Sequence, residues 1–296
     1  MSDNVKIHIS EPYDLDLTLY PSFNLAFFEK KGRIWIKVIG SHLGLKLSLK
    51  NRFLISNIDD AEAVLNYSGL WFNPSAYIEE VDKQFKNTIL ELIKSYSRLR
   101  LSINPYDKEA MFITIVLSQR TNFHINVVEW VKKIFSREKP DFSISRSYQL
   151  RRAQEAYNSC IEVLREDSLE TYSDLWSLRK DLLSKCKNVG VKTADAYLLF
   201  TRRNATILAP VDIHFKRFMR YIFSVRKKIP QKNYCTRYSC YKCPFREKCA
   251  TFWALESFGK LAGWIQTVAY VHDKLYCSKS KCGVCPLAKL CSKRSN

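Results

Sequence analysis

The sequence predicts a mainly α protein with a small antiparallel β unit at its N-terminus, an α+β chain in two parts. Three observations carry this. From Leu15 to about Ile55 apolar residues alternate at period two, as half-buried strands require. From about Ser75 the apolar spacing becomes helical and stays so over most of the remaining chain. Helix-starting residues then recur at intervals suited to short bundle helices.

In the β unit, Leu15, Leu17 and Leu19 alternate, as do Ile34, Ile36 and Val38. Breaks at Pro21-Ser22, Lys31-Gly32 and Gly40-Ser41 divide the stretch into antiparallel hairpins. The boundary falls between residues 75 and 105 and is drawn at 75, giving a β domain of residues 1–75 and a helical domain of residues 76–296. The helical part opens with Ile78, Val81, Phe85, Ile89, Leu92 and Ile93 on one face. Pro105 and Asp107 start a helix running through Phe112, Ile115 and Val116 to Leu117. Asn122 caps the next, with Ile125, Val128, Val131 and Phe135 on its inner face. Between them Ser118-Gln119-Arg120-Thr121-Asn122 is a polar turn, by itself an ordinary connection.

The chain carries 48 Lys+Arg against 29 Asp+Glu, a formal charge of +19. After residue 215 there are 18 Lys+Arg and three acids, Glu247, Glu256 and Asp273. Such a field attracts a polyanion. No run approaches the roughly 18 apolar residues of a membrane helix, and the start MSDNVKIHIS lacks a basic segment leading into an apolar one. Nucleic acid is thus the expected partner of an intracellular (cytoplasmic or nucleoid) monomer without membrane association. A solvated basic surface is the bland alternative, and metal-bound thiolates would cancel part of the excess.

The most informative stretch is Lys187-Asn188-Val189-Gly190-Val191-Lys192-Thr193-Ala194-Asp195, continuing into an apolar helix through Tyr197, Leu198 and Phe200. A tight turn ending in Gly190 at a helix N-terminus aims backbone N–H groups outward, where they can hold a phosphate without reading sequence. Asp212 follows in Ala209-Pro210-Val211-Asp212-Ile213-His214-Phe215, at the start of another helix. Taken singly, Asp212 reads as a cap and Lys192 as a surface residue. Together they resemble the helix-hairpin-helix signature of base-excision DNA glycosylases, a Gly-x-Gly-x-Lys hairpin followed by Val-Asp-x-His. The hairpin spans residues 178–200, with Asn188 where the family often has its first glycine; Asn tolerates the left-handed backbone needed there.

This resemblance implies DNA contacts from Asn188, Val189, Gly190, Val191 and His214. It makes Lys192 the nucleophile at the sugar C1′ and Asp212 the carboxylate that stabilises positive charge on the sugar. Lysine attacks only as the neutral amine and forms a Schiff base, which opens the way to β-elimination and hence lyase activity. A second stretch, Gly259-Lys260-Leu261-Ala262-Gly263-Trp264-Ile265-Gln266-Thr267-Val268-Ala269-Tyr270, resembles the C-terminal helix of 8-oxoguanine DNA glycosylases. There Gln266 and Tyr270, on one helical face, would hydrogen-bond and stack on a flipped base. The bland alternative is a core helix with a satisfied glutamine.

The β unit resembles the N-terminal domain shared by 8-oxoguanine and alkyladenine glycosylases. Pro21-Ser22-Phe23-Asn24, however, departs from the family's Gly-Gln-Ser-Phe loop, so lesion identity stays open. The resemblance places Gln119 and Asn122 in the space left by the extruded base. It covers about residues 12–291 and implies a damaged-duplex-specific glycosylase with AP lyase activity, with 8-oxoguanine the favoured base. An oxidised-pyrimidine glycosylase like endonuclease III, an alkylpurine glycosylase and a non-enzymatic DNA-binding protein are the alternatives.

Eight of the ten cysteines fall into two sets. Cys277, Cys282, Cys285 and Cys291 form C-x4-C-x2-C-x5-C, a spacing suited to a tetrahedral zinc or an iron–sulfur cubane. Residues 277–291 resemble the four-iron four-sulfur loop that ends endonuclease III and its relatives, with a shorter first gap, which implies that cofactor. Cys235, Cys240, Cys243 and Cys249, in a loop of residues 235–249, repeat the spacing. A tyrosine precedes each first cysteine (Tyr234, Tyr276) and a proline follows each third (Pro244, Pro286). This earlier loop could hold a second cluster, a zinc or disulfides. Cys160 and Cys186 stand in helical context and read as buried thiols.

Overall fold

Five strands, β1 (Val5–His8), β2 (Phe28–Lys31), β3 (Ile34–Lys37), β4 (Lys46–Lys50) and β5 (Phe53–Ser56), form an antiparallel sheet in the order β1-β5-β4-β3-β2. The computed structural model describes residues 5–292 apart from 138, 169 and 172, so the basic Lys293 and Arg294 lie outside the described residues. β2 and β3 pair Lys31 with Ile34 across a turn at Gly32, whose φ is 61°. β4 and β5 turn through Asn51 and Arg52, both left-handed at φ 48° and 63°, the sense of turn that matches strand twist.

The helices are α1 (Leu15–Leu19), α2 (Ala61–Ser68), α3 (Lys86–Ser95), α4 (Lys108–Leu117), α5 (Val128–Ile134) and α6 (Tyr148–Arg165), then α7 (Leu175–Lys185), α8 (Val191–Thr201), α9 (Ile213–Ile222), α10 (Lys232–Cys235), α11 (Ala250–Phe258) and α12 (Ala262–Leu275). Among the described residues no helix is long and apolar enough to cross a membrane. The α+β reading therefore holds. One apolar core runs through both parts, from Phe27 and Leu47 under the sheet to Ile89, Phe112 and Trp264 among the helices. Sheet and bundle are also joined by a buried ion pair, Lys37 Nζ to Asp107 Oδ2 at 2.7 Å. Asp107 precedes α4 but does not cap it. Its carboxylate accepts instead from Lys37, Asn104 and the backbone N–H of Ser41.

α12 seats itself through Gly263. A Cβ there would lie 3.0 Å from the carbonyl oxygens of Thr206 and Leu208 and 2.4 Å from a methyl of Leu199, so only glycine permits this approach. The fully buried Trp264 then donates from its indole to Leu99 O at 3.1 Å.

Four expectations are corrected. Leu15–Leu19 is a helix rather than a strand. Asp14 caps it by accepting from Leu17 N, and the buried face is Leu15, Thr18 and Leu19, which is helical spacing. Pro74–Glu80 and Lys83–Phe85 are 3-10 turns rather than the start of an α-helix. Asn73 and Asp82 accept from N–H groups two residues on and compete with helical pairing, so Ile78, Val81 and Phe85 precede α3. Ile125 is 65% exposed and faces away from the core, because Phe123–Val127 is wound as a π-turn that shifts the phase of the following helix.

The fourth correction is that Cys160 and Cys186 are not separate thiols. They form a disulfide that ties α6 to the chain just before the hairpin turn, closing a separation of 26 residues. A Cys160→Ser/Cys186→Ser variant is expected to lose about 3 kcal/mol of stability by chain-entropy reasoning. Denaturant unfolding checks it, and an unchanged midpoint would show that the bridge adds nothing.

Candidate active site

α7 and α8 form the hairpin, locked by an ion pair from which solvent is excluded. Arg179 on α7 donates to both carboxylate oxygens of Asp195 on α8, at 2.5 and 3.2 Å, with side-chain exposures of 1% and 0%. Asn188 takes the left-handed backbone expected of it, φ 60°. Its amide donates to Arg152 O at 3.2 Å and Glu155 Oε2 at 3.0 Å, while Lys187 N donates to Ser159 Oγ at 2.8 Å. The turn is thus welded to α6. Gly190 starts α8 without a side-chain cap, and a Cβ on it would meet open space. The first N–H groups of α8 therefore lie open to an external acceptor.

Asp212 caps α9, with Oδ1 accepting from Phe215 N at 2.8 Å and Oδ2 from Gln266 Nε2 at 3.4 Å. Lys192, Asp212, Gln266, Tyr270 and Asn122 all border one cavity of about 600 Å³, the size of a small-ligand pocket. Three helices and the turn after α4 thereby bring together residues that lie up to 148 positions apart (122 to 270). Phe23 closes the pocket beside them, its ring edge-on to Phe123 and Phe200 at centroid distances of 5.3 and 5.1 Å.

Tyr270 is held from two sides. Its hydroxyl meets His124 Nε2 at 3.2 Å, His124 stacks on Tyr20 at 4.4 Å, and His214 packs edge-on to the Tyr270 ring at 5.1 Å. Burial pushes the Tyr270 hydroxyl well above the usual phenol range and His124 below the usual imidazole value. Both side chains are therefore uncharged near neutral pH. His214 in turn bonds Asp273 Oδ2 through Nδ1 at 2.6 Å, and Arg217 bonds the other oxygen of Asp273.

A second hollow of about 520 Å³ opens on the hairpin side, bordered by Arg120, Arg152, Lys232, Gly190 and Lys192. Lys192, whose side chain is exposed, borders both spaces. Val189 and Val191 are buried, and only their backbone serves this face. Gln119 leans onto the hairpin, donating to Asn188 O and Thr193 Oγ1 at 3.2 Å each. Asn122 caps the next turn through Ile125 N at 3.3 Å.

Sequence reasoning did not single out Arg120, Arg152, Lys232, His124, Phe23 or Asp273. Arg152 and Lys232 reach the hairpin from distant helices, which leaves no local signal. Arg120 carried one, its place in the polar turn, where the structure gives it a left-handed φ of 57°.

Each cysteine set borders one space. Cys277, Cys282, Cys285 and Cys291 border an open cavity of about 490 Å³, and Cys285 Sγ lies 3.7 Å from His272 Nε2. Tyr96 OH lies 2.7 Å from His272 Nδ1. With that hydroxyl donating, the ring hydrogen sits on Nε2 and points at the sulfur, an arrangement suited to a thiolate ligand. Cys235, Cys240, Cys243 and Cys249 border a much smaller space of about 10 Å³. Among the described residues no three His, Cys, Asp or Glu side chains are gathered tightly enough to share a single ion.

No protein-family model and no curated protein sequence matches the chain. Solved structures do. MBOgg1 in complex with a low-affinity DNA ligand is similar at TM-score 0.62 and 15% identity, over 91% of this chain and 95% of that one. The Clostridium acetobutylicum 8-oxoguanine glycosylase/lyase, in complex with double-stranded DNA containing cytosine opposite 8-oxoguanine, is similar at 0.63 and 14%, over 93% and 96%. Its apo form gives 0.60 and 15%, over 91% and 96%. The chain shares the fold of these structures.

Proposed function

We propose that this chain is a base-excision DNA glycosylase with AP lyase activity that flips out and excises an oxidised base, with 8-oxoguanine as the substrate. The observation that carries the reading is the position of Lys192. It borders both the pocket holding Asp212, Gln266 and Tyr270 and the cationic hollow at the hairpin turn. A nucleotide with its phosphate at the hairpin and its base in the pocket would place its sugar between them.

In this reading the hairpin N–H groups and the cations Arg120, Arg152 and Lys232 hold phosphates, and His214 adds a contact oriented by Asp273. The base stacks on Tyr270 and is bonded by Gln266. The neutral Lys192 amine forms a C–N bond at C1′ while the glycosidic bond breaks, its electron pair leaving with the base. Asp212 stabilises the positive charge that develops on the sugar. The attached amine gives up one proton, its lone pair forms the C=N bond as the C1′–O4′ bond breaks and O4′ takes up a proton, and loss of a C2′ proton from the resulting protonated Schiff base then expels the 3′ phosphate.

The C-terminal cysteines hold a four-iron four-sulfur cluster in the proposal, supported by their shared cavity and by the His272 contact to Cys285. Bound there, it supplies a structural cross-link between the end of α12 and the final loop.

Excision assays on duplexes carrying 8-oxoguanine, thymine glycol, uracil or 3-methyladenine test the substrate. Release and strand incision at 8-oxoguanine support the reading, and preference for thymine glycol would move it to oxidised pyrimidines. Stacking on an aromatic ring is worth roughly 1–3 kcal/mol per base, so Tyr270→Ala is expected to weaken lesion binding about tenfold or more. Affinity for undamaged duplex should hardly change. Equal losses on both DNAs would mean that Tyr270 only fills the core.

A further inference from the structure

The cysteine set that the glycosylase reading leaves unused lies behind the hairpin. Cys235 ends α10, Cys240 and Cys243 flank a 3-10 turn, and Cys249 begins α11 after a second such turn. Three of the four are buried, Cys243 partly so. No two of the four are bridged to each other, unlike Cys160 and Cys186.

Their shared space measures about 10 Å³, and its walls include the aromatic rings of Tyr234, Phe245 and Phe252. That is room for roughly one water-sized sphere, but aromatic walls leave such a water poorly partnered. A tetrahedral zinc needs its ligands gathered around one ion, and among the described residues no three of these side chains are gathered so. A cubane asks for this wider arrangement, because each thiolate binds its own iron at a corner rather than a common ion.

Charge and anchoring fit as well. Arg179, already paired with Asp195, also borders the space, and Arg246 joins it from the loop. Both are cations beside ligands that bind as thiolates. Lys232, at the start of α10, donates to Val189 O of the hairpin turn at 2.8 Å, so the loop is tied to the phosphate-facing element.

We propose that Cys235, Cys240, Cys243 and Cys249 bind a second four-iron four-sulfur cluster, seated against α7 of the hairpin. It stands independently of the glycosylase reading. The test is iron, acid-labile sulfide and zinc content of the full chain purified anaerobically, with Cys240→Ser/Cys243→Ser and Cys282→Ser/Cys285→Ser alongside. About eight irons and eight sulfides per wild-type chain, falling to about four in each variant, is the expected result.

Four irons lost only in the first-loop variant would support this site and overturn the C-terminal one. Four irons lost only in the C-terminal variant, or one zinc in the first loop, would overturn the proposal. Eight irons in the wild-type chain support the proposal even if a variant misfolds.

Discussion

Replacing Asp212 with Asn is expected to slow base release by about 10²–10³-fold, the scale of losing one preorganised electrostatic contact to a transition state. The substitution keeps the shape of the side chain and one acceptor oxygen, so the amide can still cap α9 through Phe215 N, while its new Nδ2 donor meets Gln266 only if that amide turns its oxygen inward. What disappears is the negative charge facing the sugar. Single-turnover excision on an 8-oxoguanine duplex, with binding measured separately, isolates the effect. The loss should appear in the rate and not in affinity. A rate within a few-fold of wild type would reduce Asp212 to a helix cap.

The largest stability effect is expected at Arg179. Its removal leaves the Asp195 carboxylate buried and unpaired between α7 and α8, which costs about 3–5 kcal/mol when one partner of a buried pair is deleted. Arg179→Ala should lower the denaturant midpoint by a corresponding amount. Arg179→Met/Asp195→Leu should recover much of the loss, because no charge is then stranded. A loss below about 1 kcal/mol in Arg179→Ala would show that water reaches Asp195.

What could be read in the chain was what local pattern encodes. The hairpin was readable because Gly190, Asn188 and the apolar run from Val191 impose a turn and a helix within a few residues, and the structure has both. Gln266 and Tyr270 were readable as a pair because one helix spaces them four apart, and both reach the pocket. Leu15–Leu19 misled because five residues with apolar positions 15, 17 and 19 satisfy a strand template, while the capping by Asp14 and the burial of Thr18 decide for helix.

The Cys160–Cys186 bridge was not readable, since only the packing of α6 against the hairpin brings the two sulfurs together. Nor was the cradle around Tyr270. His124 and Tyr20 come from separate elements, and neither sits in a motif.

Attack of the Lys192 amine on the sugar of a damaged nucleotide is the step on which the proposed activity depends. Borohydride trapping on a duplex carrying 8-oxoguanine tests it most directly, because reduction fixes a Schiff base as a covalent protein–DNA adduct. The wild-type chain should give an adduct, and Lys192→Gln should give none while still binding the same duplex. Undiminished trapping by Lys192→Gln, or no adduct from a wild-type chain that releases the base, would contradict the assignment of Lys192 as the nucleophile.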